Sequence, residues 1–524
     1  MSYFKYIYLF GFLPIILIIY NLIPNKGRKY FLLFVNLAFY YFIGHKLIIY
    51  LLLTILSVYL SGRLMTKYDG QEEELLKKLK DKKLVNAKIK KKRKLVLLLC
   101  ILLNVGFLFA FKYLNFFSIN ANLLFKALHI NMTISVPKIL APIGISFYTL
   151  SALSYVIDIY NRKIEASKNI VKVALFVSFF TQIIEGPFTR FSDTADDLYE
   201  AKRTSYEGLC SGYERILYGL FKKKVIADRA NILVDMMFTN YANYSGASVF
   251  LGVIGYVIVL YMEFSGTMDV VLGTGELFGV KLPENFRQPF FSKNISEFWT
   301  RWHISLGAWF RDYIYYPLSL SKPLKKLTIK ARKVLGNHYG PLISGSIALL
   351  AVWFLNGLWH GAGYTFLFFG MYHFVLIVIG NFMTPLIVKV CEKLHINREN
   401  IFYRILQSIK LTFFVIIGEL FFRANTMKDG IAMFTRIFTK FNLKETNFLG
   451  LGLDIYDYIV LFISIAFIFV IGLLKEKGMD VRKELNSKKT WIKWSILYIL
   501  ILAIVIFGAY GPGYVPVDPI YADF

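Results

Sequence analysis

The chain has 524 residues, 56% of them hydrophobic, with a mean hydropathy of +0.52. A soluble domain is about 45–50% apolar; here the excess is gathered into long blocks, which excludes a water-soluble fold and predicts an all-α integral membrane protein. The formal net charge of +27 sits in connections between apolar runs, the pattern of membrane topology rather than of nucleic-acid binding.

Residues 6–23 read YIYLFGFLPIILIIYNLI, without a charge and without a small-residue cleavage site, so they form a retained span rather than a signal peptide. Residues 47–60 and 95–111 are the next clear apolar runs, and 459–474 and 496–508 repeat the pattern near the other end. A bilayer core takes about 20 apolar residues per helix. Roughly ten to twelve spans are expected on that basis, together with re-entrant or interfacial helices around a central funnel or tunnel. The densest basic block, residues 77–94 (KKLKDKKLVNAKIKKKRK), belongs in the cytoplasm by the positive-inside rule. Three spans precede it, the second lying between the loops at residues 26–29 and 44–46, which puts the N-terminus outside. With basic residues 475–493 also inside, the last span carries the C-terminus outside. Cys100, Cys210 and Cys391 have no CxxC spacing, so neither a disulfide framework nor a metal site is expected.

Three regions follow: N-terminal spans with the basic loop (1–113), a core (114–382) and C-terminal spans (383–524). From residue 139 the apolar runs are broken by Pro142, Gly144, Gly186, Pro187, Gly219, Gly252 and Gly255. Irregular backbone at membrane depth survives only where protein buries it or it lines a wet cavity, so the core is where a site is sought. Residues 348–358 are almost wholly apolar and lead into Trp359, His360 and Gly361. Desolvation there favours the neutral, basic imidazole. On a helix Asn356 lies one turn before His360 on the same face, and Gly361 leaves room for close approach. A hydrogen-bonded core histidine beside helix-packing glycines is the structural alternative.

Residues 294–317 read NISEFWTRWHISLGAWFRDYIYYP. Asn294 or Ser296 can cap a helix whose broad face carries Trp299, Trp302, His303, Leu306 and Trp309, with Arg311 and Asp312 as polar handles. An interfacial aromatic anchor and a helix lining a cavity mouth both fit. Asp158, Glu185, Glu263, Asp269 and Glu419 are embedded carboxylates, suited to an ion pathway or to pairs with Arg190, Arg215 or Arg423. Gly273-Thr274-Gly275 lacks the strand–turn–helix context of a dinucleotide fingerprint.

Residues 283–318, PENFRQPFFSKNISEFWTRWHISLGAWFRDYIYYPL, strongly resemble the hallmark of the membrane-bound O-acyltransferase family, and most closely its bacterial branch of alginate O-acetylation and teichoic-acid D-alanylation membrane proteins. LNGLWHGAGYTFLFFGMYH (355–373) is similar to the region around that family's histidine. FSGTMDVVLG (264–273) and GLFKKKVIADR (219–229) are weaker matches in the right order, and the likeness spans about 139–382. The resemblance implies His360 as the catalytic histidine, His303 as a supporting one and a counterpart for Asp269. Trp302, Asn356, Trp359, Gly361, Arg311 and Asp312 are then positioning candidates. It implies no bound cofactor. A cytosolic acyl thioester, acetyl-CoA or an acyl carrier, would be the donor, and an extracellular or cell-wall polysaccharide the acceptor. An extracytoplasmic esterase-like partner or a cytosolic carrier protein would assist. Thr181 and Glu185 depart from the family, which commonly has proline and a small uncharged residue there. D-alanylation of teichoic acid, acylation of a lipid or protein hydroxyl and, in another class, a transporter or flippase with a carboxylate relay are the alternatives.

Overall fold

The computed structural model describes residues 3–78, 81–137, 139–446, 448–510 and 514. Leu79 and Lys80 of the basic block, and the extreme C-terminus whose side was expected to be external, lie outside the described residues. The described chain is helical, with one isolated β-bridge between Phe286 and Trp302. This is what the bilayer demands: helices satisfy every backbone N–H and C=O within the segment. Among the described residues, eight stretches are long and apolar enough to cross, from Asn25–Lys78 to Thr490–Phe507, and Ile7–Leu22 and Ile145–Tyr160 are shorter apolar helices. The first stretch is two helices, Asn25–Gly44 and Ile48–Lys78, broken where His45 takes a positive φ of 46°.

Two compact units divide the chain. The first comprises Met1–Arg215 with Val271–Pro283. In it the basic block is largely helix rather than loop, for Ile48–Lys78 and Lys82–Leu108 carry it at their ends. Asp69 meets Arg93 at 3.3 Å and Arg162 at 3.0 Å there, tying the cationic ends together. Residues 179–189 are non-helical and buried throughout. Their backbone is satisfied from a distance: Asn36 Oδ1 accepts from Phe180 N at 3.1 Å, and Tyr3 Oη donates to Phe180 O at 2.9 Å. Gly144, at φ +71°, lies so close that a Cβ would fall 2.0 Å from Ile183 O. Thr181 and Glu185 both belong to this buried turn.

The second unit comprises Ile216–Val270 and Glu284–Ile520, and it holds both histidine blocks. A π-helical turn, Phe221–Ala227, carries three lysines past the Gly246–Leu277 helix. Gly219 permits the approach, since a Cβ there would sit 2.5 Å from Gly266 O. Helix Lys322–His360 is not straight. Gly336 is non-helical (φ 77°, ψ −177°), and Gly340 is so near the Arg332 backbone that a Cβ would lie 2.4 Å from its Cα. Thr328 Oγ1 and Ser344 Oγ are 2.5 Å apart. Pairs 332/340 and 328/344 centre on residue 336, so 322–335 folds back along the start of the 337–360 segment. Only the latter can span, and at 1.5 Å per residue it is ~36 Å long. It returns as Tyr364–Lys393. Gly357 and Gly370 let the two helices touch, because a Cβ on Gly370 would meet Trp353 O at 2.4 Å and one on Gly357 would meet Phe366 O at 2.6 Å.

Candidate active site

His303 does not ride on a continuous helix. Asn294 caps Ile295–Arg301 through Glu297 N at 2.9 Å, but the helix ends there and Ile304–Phe310 begins anew. His303 itself is left-handed, with φ 47° and ψ 50°. The cause is long-range. Residues 285–287 capture the backbone groups a helix would have used: Arg287 N donates to Arg301 O at 2.9 Å and Ile304 N to Asn285 O at 3.0 Å. The expected single face of Trp299, Trp302, His303 and Leu306 is therefore split.

Asn285 is the hub of this bend. Its Oδ1 accepts from Ser305 N at 3.0 Å and Ser305 Oγ at 2.9 Å, and lies 3.2 Å from His303 Nδ1. An amide N–H donates to that atom, so it is oxygen, and Nδ1 must carry the ring proton to bond to it. Nε2 is then the lone-pair nitrogen. His303 is 3% exposed, and burial pushes its pKa down to about 3, so the ring is neutral at physiological pH. Its ring meets Phe264 edge-on at 4.8 Å.

His360 is the last residue of its helix and 5% exposed. Phe422 and Phe369 face it edge-on at 5.1 and 5.8 Å. Trp359 joins the two histidines, with its ring centroid 5.8 Å from His303 and 4.9 Å from His360. Asn356 lies one turn before His360, as expected, and its Oδ1 has no hydrogen-bond partner among the described residues. Gly361 is extended, and what it supplies is space: a Cβ would lie 2.2 Å from the Phe366 ring.

Other candidates lie around this core. Trp302 packs into an aromatic nest with Phe286 at 5.1 Å, Phe298 at 5.6 Å and Tyr261 at 5.9 Å. Arg311 and Asp312 bond to each other at 3.1 Å, with the Arg311 side chain 57% exposed. Asp269 receives Lys222 Nζ at 2.5 Å, and Lys222 also reaches Ser265 Oγ at 3.2 Å. The next residue, Lys223, meets Asp228 at 3.0 Å and Glu263 at 3.6 Å. Asp269 and Glu263 thus pair with lysines of the π-helical turn, while Arg423 pairs with Asp235 at 2.9 Å and Arg215 with Glu276 at 3.6 Å. Asn285 was missed. Its signal was an amide beside Phe286 in the PENFRQP segment, ahead of the block that carries His303.

Two buried histidines joined by an indole, one of them a neutral His303, sit on a multi-spanning helical scaffold. The model of the MBOAT family, membrane-bound O-acyltransferases, matches residues 93–332, which include His303 and Asp269 and stop short of His360. The chain is 30% identical to a probable alginate O-acetylase AlgI of Pseudomonas syringae pv. tomato, over 75% of this chain and 70% of the relative. It is 29% identical to a peptidoglycan O-acetyltransferase of Helicobacter pylori, over 65% and 64%. A teichoic acid D-alanyltransferase of Bacillus subtilis is 30% identical over 46% and 59%. The chain belongs to the membrane-bound O-acyltransferase family and is an acyltransferase of the membrane.

Proposed function

We propose that this protein moves an acyl group, acetyl in the first instance, from a cytosolic thioester to a hydroxyl of an extracytoplasmic polysaccharide, with His360 as the general base. The acceptor oxygen attacks the thioester carbonyl while His360 takes its proton. The carbon–sulfur bond then breaks, and the proton passes to the departing thiolate, so ester and thiol are the products. The observation that carries this reading is the Trp359 indole lying against both His303 and His360, which gathers two buried rings into one place. The tautomer of His303 refines its role. With Nδ1–H directed at Asn285, the neutral ring presents an acceptor, so it orients a hydroxyl rather than donating to the oxyanion. Asn356 and the backbone N–H groups near Gly361 are the oxyanion donors.

The donor enters from the face bearing the basic helix ends and the acceptor from the opposite face, along a funnel or tunnel that narrows at His360. The N-terminus lies outside. The acetylating relatives support the polysaccharide acceptor, because they match more of the chain than the D-alanylating relative does. A carrier protein or an esterase-like partner would act at either end of this path. The test is the set of base-labile acyl esters in the cell envelope and secreted polymer, compared among wild-type, deletion and His360→Ala strains at matched protein levels. Loss of one acyl species in both altered strains is expected. An unchanged profile with His360→Ala present in the membrane would refute the assignment.

A further inference from the structure

We infer that the helical hairpin folded at Gly336 is a binding site for an anionic phospholipid of the cytoplasmic leaflet. Residues 322–335 carry Lys322, Lys325, Lys326, Lys330, Arg332 and Lys333, and all six are exposed. No aspartate or glutamate occurs between Asp312 and Glu392. Among the described residues none of the six cations forms an ion pair with a carboxylate. Six like charges held on 14 residues without counter-ions call for an anionic partner.

The apolar surface says which kind. Ile329, Val334 and Leu335, at 62%, 76% and 44% exposure, stand among the cations, and Leu320 is 59% exposed beside them. Cations interspersed with exposed aliphatic side chains suit a surface that meets both headgroups and acyl chains. The fold-back supplies a groove as well. An open cavity of about 330 Å³ is lined by Tyr315, Leu320, Lys325, Thr328, Ile329 and Pro341, among others. Its lining is largely apolar with a lysine in it, which suits an acyl chain entering beneath a phosphate. The positive-inside rule puts this surface on the cytoplasmic side. The Arg311–Tyr315 turn that walls the groove continues directly from the Ile304–Phe310 helix after His303, so a bound lipid braces the segment that carries the site.

The experiment uses the full-length protein purified in detergent and titrated with dioleoyl phosphatidylglycerol or dioleoyl phosphatidylcholine, with retained lipid counted by native mass spectrometry. The wild type is expected to retain phosphatidylglycerol selectively. Lys325→Gln, Lys326→Gln and Lys330→Gln together should weaken that retention about a hundredfold, at roughly fivefold per removed charge. The triple change Lys477→Gln, Lys483→Gln and Lys489→Gln should leave it intact. Gly345→Phe, which fills the groove beside Tyr315, should reduce retention with all six cations present. Equal loss in the control triple variant, or no loss in the hairpin variants, would overturn the site. Displacement of the lipid by glycerophosphoglycerol or inorganic phosphate at matched concentration would overturn the groove. Preferential capture of an acidic protein in place of lipid would overturn the choice of partner.

Discussion

Asn285→Ala removes the one acceptor shared by His303 and Ser305. That acceptor takes three hydrogen bonds at 2.9–3.2 Å, and Asn285 is 1% exposed. The Ser305 hydroxyl can turn elsewhere, but the Ser305 N–H and the His303 Nδ1–H are held by the fold. Two buried donors left without an acceptor cost about 1–3 kcal/mol each, so the variant loses roughly 2–6 kcal/mol. The same change frees the His303 ring, and a reacting group misplaced by about 1 Å costs about 100-fold in rate. The assay is thiol release from acetyl-CoA by detergent-purified protein, with thermal unfolding followed by fluorescence-detected size exclusion. The expected result is a lowered midpoint and a fall in kcat larger than any rise in KM. Asn285→Asp should recover much of the stability, since it keeps the acceptor. An Asn285→Ala protein with wild-type midpoint and wild-type turnover would refute the hub, and with it the assigned tautomer of His303.

Lys222→Ala should destabilise the protein by about 3–5 kcal/mol, because it leaves Asp269 charged and buried, whereas Lys222→Met with Asp269→Leu should restore most of the loss; a thermal-shift double-mutant cycle measures the coupling. Gly370→Ala forces a Cβ to 2.4 Å from the Trp353 carbonyl, so it should cost about 1–3 kcal/mol and lower the yield of monodisperse protein; Gly380→Ala, which meets nothing within 4 Å, should not. His303 has its pKa lowered from 6.5 to about 3 in the fold, so the unfolded chain binds the proton more tightly. Its contribution to stability is therefore complete above pH 6.5 and lost as pH falls toward 3, and His303→Gln should flatten the acid side of a stability–pH profile. The acid limb of turnover between pH 5 and 8 should keep its midpoint in that variant, because the neutral His303 does not titrate there.

Part of the site is legible from local spacing. Asn356, Trp359 and His360 lie on one helix, and a period of 3.6 residues puts Asn356 under His360 without reference to the rest of the chain. The Asn294 cap is equally local. His303 is not. Its neighbours read as one amphipathic helix, and the break arises because residues 285–287 take over the hydrogen bonds of the 301–304 backbone. The carboxylates Glu263 and Asp269 were visible as embedded charges, but their lysine partners lie some 40 residues earlier, and only the close approach of Gly219 to Gly266 brings them together.

Composition and apolar blocks alone were enough to place this chain in a membrane as helices, because transfer of backbone and side chains into lipid is decided segment by segment. The two histidine blocks were enough to suggest the chemistry. Which ring carries its proton on Nδ1, which indole joins the histidines, and where Gly336 turns a long helix back on itself were decided by tertiary structure. Each depends on groups far apart in the chain competing for the same hydrogen bond or the same space, and local periodicity does not encode the outcome of that competition.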